Sequence, residues 1–210
     1  MDGLNGYEFG EKYSFEQLEE GIFLERFEVH REFEEDAVSP EDFIFGVLSP
    51  EDCVFLQETG DGATACQLSM IAQLLGEEAA QPWMEKAQAE GWYVPECGTS
   101  AEYMDALLRA VGLQTCRIDD CSMSDLLEIL ADGEKAMCSV STVLLECPEA
   151  EGWPGISADR FMQVLGVNMR DAEFVQVHLY DPVQGGVRVC SLQDFIASWE
   201  AGGRQLVSAC

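Results

Sequence analysis

Basic residues are scarce in this chain. Only 11 Lys and Arg stand against 40 Asp and Glu, which gives a formal net charge of −29 over 210 residues. A field of that sign repels nucleic-acid phosphates and anionic lipid surfaces, so neither a nucleic acid nor a membrane is expected as a partner. Histidine is almost missing, with His30 and His178 alone. The nine cysteines, at positions 53, 66, 97, 116, 121, 138, 147, 190 and 210, contain no Cys-x-x-Cys, and neither histidine lies near a cysteine pair. The ligand spacing of a structural zinc site is therefore lacking, and no metal or cofactor is expected. No apolar run approaches the roughly 18 residues that a membrane-spanning helix needs. The opening residues, MDGLNGYEFGEK, lack the basic start and apolar block of a secretory signal. Reduced thiols and a cytoplasmic location are the corresponding expectation.

What is present is a globular composition, with 47% apolar residues, in a length suited to one medium domain. Residues 1–60 hold 17 acids and 3 bases, about half the net charge in under a third of the chain. The division expected is an acidic, aromatic-rich extension over 1–52 and a domain over 53–210. Tyr7, Phe9, Tyr13, Phe15, Phe23, Phe27 and Phe33 demand burial, so the extension is expected to pack on the domain. Ser14 and Gln17 fit a capping box at the start of a short helix. SPEDFIFGVL (39–48) and SPEDCVFLQ (49–57) form a small repeat of turn and short strand.

From Thr64 to Leu75 the pattern is helical and apolar nearly all round, which predicts a buried central helix ended by Gly76. Further helices are predicted over 82–90, over 101–112 behind a Thr99 or Ser100 cap, and over 125–133 behind Ser122 or Ser124. AMCSVSTVLL (136–145) reads as a buried strand. RFMQVLGVNM, EFVQVHLYDP and GVRVCSL alternate like strands, SLQDFIASWEAGG reads as a helix capped by Ser191, and RQLVSAC reads as a closing strand. Helices followed by a mostly antiparallel sheet make the class α+β.

The order of these elements carries a resemblance. Gln57, a short loop and Asp61-Gly62-Ala63-Thr64-Ala65-Cys66 resemble the Gln, loop and Asp-Cys-Gly-x-Ala start of the central helix in papain-like peptidases. The pattern looks like that of the peptidases that cleave double-glycine leaders in bacteriocin export (peptidase family C thirty-nine) and their wider relatives. GTSAEYMDALLRAVGLQTC and SMSDLLEILADGEKAMCSVS are similar to the two units that follow. RFMQVLGVN stands where that family has its histidine strand, and VHLYDP resembles the strand ending in the third triad member. The resemblance covers residues 53–210 and implies a papain-like fold, with a helical subdomain and a central buried helix packed on an antiparallel sheet. It also implies a bacterial protein.

It implies as well a site that lacks its chemistry. Such an enzyme needs a low-pKa thiolate at a helix N-terminus, a histidine to move the proton, an acid or amide to orient that histidine, and a glutamine for the oxyanion. Gln57 and Asp181 occupy their positions. The thiol position is Gly62 and the histidine position is Arg160, which is permanently cationic and cannot act as a base. Arg160 and Asp181 are expected to form a bidentate ion pair across the former site. Cys66 lies one helical turn deeper, where packing is its ordinary role. His178 and Asp181 are three apart on one strand and so face opposite sides.

The reading is a catalytically inactive pseudo-peptidase that binds a protein or peptide, as degenerate relatives in toxin-exporting ABC transporters do. The role would be that of a chaperone, adaptor or inhibitor. Asp61, Gly62, Arg160 and Asp181 would line the binding site, and the partner would be basic or partly unfolded. Two alternatives are an active hydrolase with Cys66 as a relocated nucleophile, and an acidic DNA mimic or immunity-type inhibitor. The charge also has a plain explanation in solubility.

Overall fold

The computed structural model describes residues 44–48, 53, 62–80, 82–95, 97–171 and 173–210. The extension through residue 43 with its Ser14–Gln17 cap and His30, most of the second repeat unit, and both Gln57 and Asp61 lie outside the described residues.

Alternation along the last third of the chain builds a seven-stranded antiparallel sheet. In chain order its strands are β1 (Ile44–Gly46), β4 (Thr115–Ile118), β5 (Lys135–Val140), β6 (Arg160–Asn168), β7 (Gln176–Asp181), β8 (Gly186–Ser191) and β9 (Leu206–Ala209). A two-stranded hairpin, β2 (Tyr93–Val94) and β3 (Gly98–Thr99), stands apart. The sheet order is β4-β9-β5-β6-β7-β8, and β1 also pairs with β6. β5 takes Arg160–Val164 of β6, and β1 takes Gly166–Asn168. A register shift between Val164 and Gly166 marks the changeover in the pairing of β6 with β7.

Period-two alternation sends opposite residues of each strand to two separate cores. Phe161 of β6, Met137 of β5 and Val207 of β9 face α1 (Ala63–Leu75), with α2 (Glu77–Ala80), α3 (Trp83–Ala89) and α4 (Ala106–Ala110) around it. Met162, Val164, Cys138, Val177 and Leu179 face α5 (Met123–Ala131) and α7 (Leu192–Glu200) on the other side. The α+β class and the central helix on an antiparallel sheet agree with the sequence pattern, and a second helical layer covers the far face. In α1, every residue from Ala63 to Ala72 is buried. That is the burial expected of a helix apolar nearly all round, and each large side chain so buried contributes roughly 1.5–3 kcal/mol. Gly76 closes the helix by donating its N–H to the Ala72 carbonyl.

Two predicted elements come out differently. The strand predicted over 136–145 stops at Val140, and Thr142–Glu146 is a helix, α6. The Ser141 hydroxyl accepts from Leu144 N–H at 3.4 Å, and the Asp159 carboxylate accepts from Thr142 N–H at 2.7 Å. These caps outweigh the β-branched content of Thr142 and Val143. The helix predicted over 101–112 divides into a 3₁₀ turn, Ala101–Tyr103, and α4. Gln67 of α1 causes the break: its amide donates to the Tyr103 carbonyl at 3.2 Å and accepts from Leu107 N–H at 2.9 Å. Caps at Ser122, which closes a capping box with Asp125, and at Ser191 stand where the sequence places them.

β1 reaches β6 only because Gly166 has no side chain. A Cβ there would lie 2.5 Å from the Phe45 carbonyl oxygen and 2.7 Å from that of Val47. Gly166→Ala is therefore expected to destabilise the fold by roughly 1–3 kcal/mol, the usual cost of overpacking. Chemical denaturation measures it, and a change below about 0.5 kcal/mol would show that the close approach of β1 imposes no constraint.

Candidate functional site

Gly62 is the N-cap of α1, and its carbonyl accepts the first helical bond, from Cys66 N–H, at 2.9 Å. Its φ of 82° lies in the left-handed region, where a side chain is strained. A Cβ at this position would stand 2.7 Å from the Phe161 carbonyl oxygen, with Val183 and Pro182 side chains at 3.4 and 3.5 Å. The space a cysteine would occupy is thus taken by the backbone of β6 and by the residues just after β7.

Those two strand ends also supply the charged pair. Gln163 faces Tyr180 in the β6–β7 register, which sets Asp181 across from Met162 and leaves Arg160 one same-face position farther along. Arg160 Nη1 donates to Asp181 Oδ2 at 2.8 Å. Their side chains are 18% and 3% exposed, so the pair is shielded on both sides. The expected bidentate geometry does not occur. Asp181 Oδ1 instead accepts the backbone N–H groups of Val183, at 2.9 Å, and Gln184, at 3.1 Å. The turn after β7 provides these donors, and Gly185 N–H closes it onto the Asp181 carbonyl at 2.8 Å. The carboxylate is thus satisfied by one cation and two amides, and Arg160 Nε, also buried, meets no acceptor among the described residues.

Arg160 and Asp181 are paired, and Gly62 lies against their chain neighbours Phe161 and Pro182, while Gln57 and Asp61 lie outside the described residues. Cys66 is fully buried and its thiol approaches the Phe161 carbonyl at 3.5 Å. His178 shares a face of β7 with Tyr180, opposite to that of Asp181. Both imidazole nitrogens are buried and meet no side-chain partner among the described residues, and the Leu48 backbone approaches the ring. Burial holds the His178 pKa below its ordinary value, because the charged form loses its water. Tyr180, between the sheet and α1, is pushed up to about 12, first by burial and then by the neighbouring Cys53, Cys66 and Asp181.

A polar cluster beside the site was not anticipated. Gln73 of α1 and Gln163 of β6 exchange amide hydrogen bonds at 3.2 and 2.7 Å, and Gln73 also donates to the Cys53 sulfur at 3.0 Å. Thr64, in the first turn of α1, shares a 2.7 Å hydrogen bond with Thr99 of β3. The signal in the sequence was the set of polar residues Thr64, Gln67, Ser69 and Gln73 within a mostly apolar helix. A cavity of about 300 Å³ adjoins the amide pair, between Val47, Leu130, Lys135 and Leu165. A shallower hollow of about 220 Å³ lies beside Asp181, edged by Gln184, Val187 and Arg188.

Two measurements test these assignments. Arg160→Ala leaves a buried carboxylate without its cation, so a loss of about 3 kcal/mol is expected in chemical denaturation; unchanged stability would mean that the two amides suffice. For His178 the sign follows from proton uptake. The unfolded chain binds a proton near 6.5 and the folded chain only at lower pH. Between those values the unfolded state holds more protons, so this residue's contribution to stability falls as pH drops through 6.5. The native chain should lose stability relative to His178→Gln between about pH 7.5 and pH 5.5. A difference in melting temperature that is constant over that range would refute the buried neutral imidazole.

No family model and no curated protein matches the chain. Among solved structures, it is similar to the crystal structure of a chain described as a C39-like peptidase from Bacillus anthracis. That similarity covers 79% of this chain and 97% of the other, at a TM-score of 0.47 and 12% sequence identity.

Proposed function

We propose that the chain is a catalytically inactive, papain-like module that holds a protein or peptide partner instead of cleaving one. The observation that carries this reading is at the helix N-terminus: a backbone carbonyl oxygen stands 2.7 Å from where a Cβ of residue 62 would be. A thiolate there would need both a side chain and room for it, and the position offers neither. Proton transfer meets the same obstacle. The guanidinium at residue 160 stays charged at any physiological pH and is already engaged by Asp181.

Relocation of the nucleophile to Cys66 is opposed by its burial and by its contact with the Phe161 carbonyl. A thiol in apolar surroundings is little ionised, and the thiolate is the reactive form. The charge of −29 favours a basic or partly unfolded partner, which suits the work of a chaperone, adaptor or inhibitor.

Thiol reactivity decides between the inactive module and the relocated nucleophile. The native chain is treated with iodoacetamide near neutral pH, the labelled residues are mapped by mass spectrometry, and cleavage of a double-glycine leader peptide is assayed alongside. Cys97, Cys116 and Cys210, which are exposed, should label first. Cys66 and Cys121 are buried, and burial drives the Cys138 thiol far above its ordinary pKa and Cys190 up to about 12, so these four should label only on unfolding. No peptide should be cut. Rapid labelling of Cys66 coupled to loss of a cleaving activity would overturn the proposal.

A further inference from the structure

β8 forms one edge of the sheet, and among the described residues it pairs with β7 alone. The ladder determines which of its backbone groups turn outward. Leu192 N–H donates to the Val175 carbonyl at 3.0 Å, one step beyond the Gln176–Ser191 pair and in the same register. Hydrogen-bonded and non-bonded pairs alternate along an antiparallel ladder. Gly186, Arg188 and Cys190 therefore bond to β7, while Val187 and Val189 turn their N–H and C=O groups away from the sheet. Their side chains are 37% and 49% exposed. They stand opposite Tyr180 and His178, on the face that carries α1.

Open edges are ordinarily blocked by a lysine, a proline, a bulge or an inward-pointing charge, because they template further pairing. From Gly186 to Ser191 β8 has no proline and no lysine, and its pairing with β7 runs without a register shift. Its one charged residue, Arg188, lies on the opposite face and is bonded to Glu146 at 3.0 Å. The strand thus offers backbone donors and acceptors beside two aliphatic side chains, and Arg188, an inward-side charge already held by Glu146, is the one protection of this kind it carries.

We infer that β8 is the docking edge for an extended segment of the partner, one that alternates aliphatic with basic residues and adds to the sheet as an eighth strand. This rests on the binding-module reading and specifies where on the module the partner sits. Main-chain bonds to Val187 and Val189 would supply affinity, and the alternating side chains would supply selection. Aliphatic residues of the segment would cover Val187 and Val189. Basic residues would fall on the other face, where α6 and α7 bring Glu146, which also holds Arg188, and Asp194. Charge selects this occupant over a second copy of the chain, which would bring another −29 to the same edge.

The test uses the full chain and two end-blocked synthetic peptides, one alternating Lys with Val and one alternating Glu with Val. Fluorescence anisotropy reports binding, and amide hydrogen exchange reports the strand. The Lys–Val peptide should bind at least about tenfold more tightly than the Glu–Val peptide, weaken with added salt, and slow exchange at the Val187 and Val189 amides. Val189→Pro removes one outward N–H without touching a bond to β7, a position where edge strands tolerate proline. Its melting temperature should change little, and binding should weaken by about tenfold, the scale of a lost backbone hydrogen bond or two. Val189→Lys, which keeps the backbone and adds repulsion, should weaken binding as well. Absence of binding by the basic peptide, binding without protection of those two amides, or undiminished binding in both variants would each overturn the assignment. The inactive-module reading is decided separately by the thiol labelling, so the two failures are distinguishable.

Discussion

The first turn of α1 and the Phe161 carbonyl need the same few cubic ångströms, and a residue without a side chain is what lets both be there. This one contact sets the depth to which the helix enters the fold. With Gly62 seated against β6, the ten residues that follow are all buried. The same seating brings the helix start against Pro182 and Val183, just past the end of β7. The ion pair of Arg160 and Asp181 then joins the two strand ends beside it. Helix, carbonyl and ion pair hold one another in place.

The interior is more polar than its composition suggests, and nearly every buried polar group has a defined partner. Gln67 takes the Tyr103 carbonyl before α4 and the Leu107 N–H within it, Gln73 and Gln163 satisfy each other, and Thr64 and Thr99 share a hydrogen bond. Buried polar groups are tolerable when paired in this way and costly when not. They also specify position, because an amide pair between α1 and β6 cannot be satisfied in a slipped register. Among the described residues the imidazole of His178, the Nε of Arg160 and the Ser208 hydroxyl depart from that rule.

Much of the architecture was legible in the amino-acid sequence. The central helix, its glycine stop, the caps at Ser122 and Ser191 and the run of antiparallel strands rest on local periodicity and local hydrogen bonds. The places of Gly62, Arg160 and Asp181 came instead from the family resemblance, and of these the structure shows Arg160 paired with Asp181. What escaped depends on partners distant in the chain. Gln67 breaks a helix some 36 residues away, and Asp159 caps one 17 residues earlier. β4 has no alternation of its own and exists because β9 pairs with it. The single-nitrogen form of the ion pair follows from amides donated by the turn after β7, and composition says nothing about how a turn aims its N–H groups.

The place of β9 in the sheet has a temporal consequence. It lies between β4 and β5, and among the described residues β4 joins the sheet through β9 alone. A nascent chain therefore carries β4 without a mate until the end of the described residues emerges, and assembly of that flank is a late, all-at-once event. A premature stop before Leu206 would remove one strand from the polypeptide and two from the sheet.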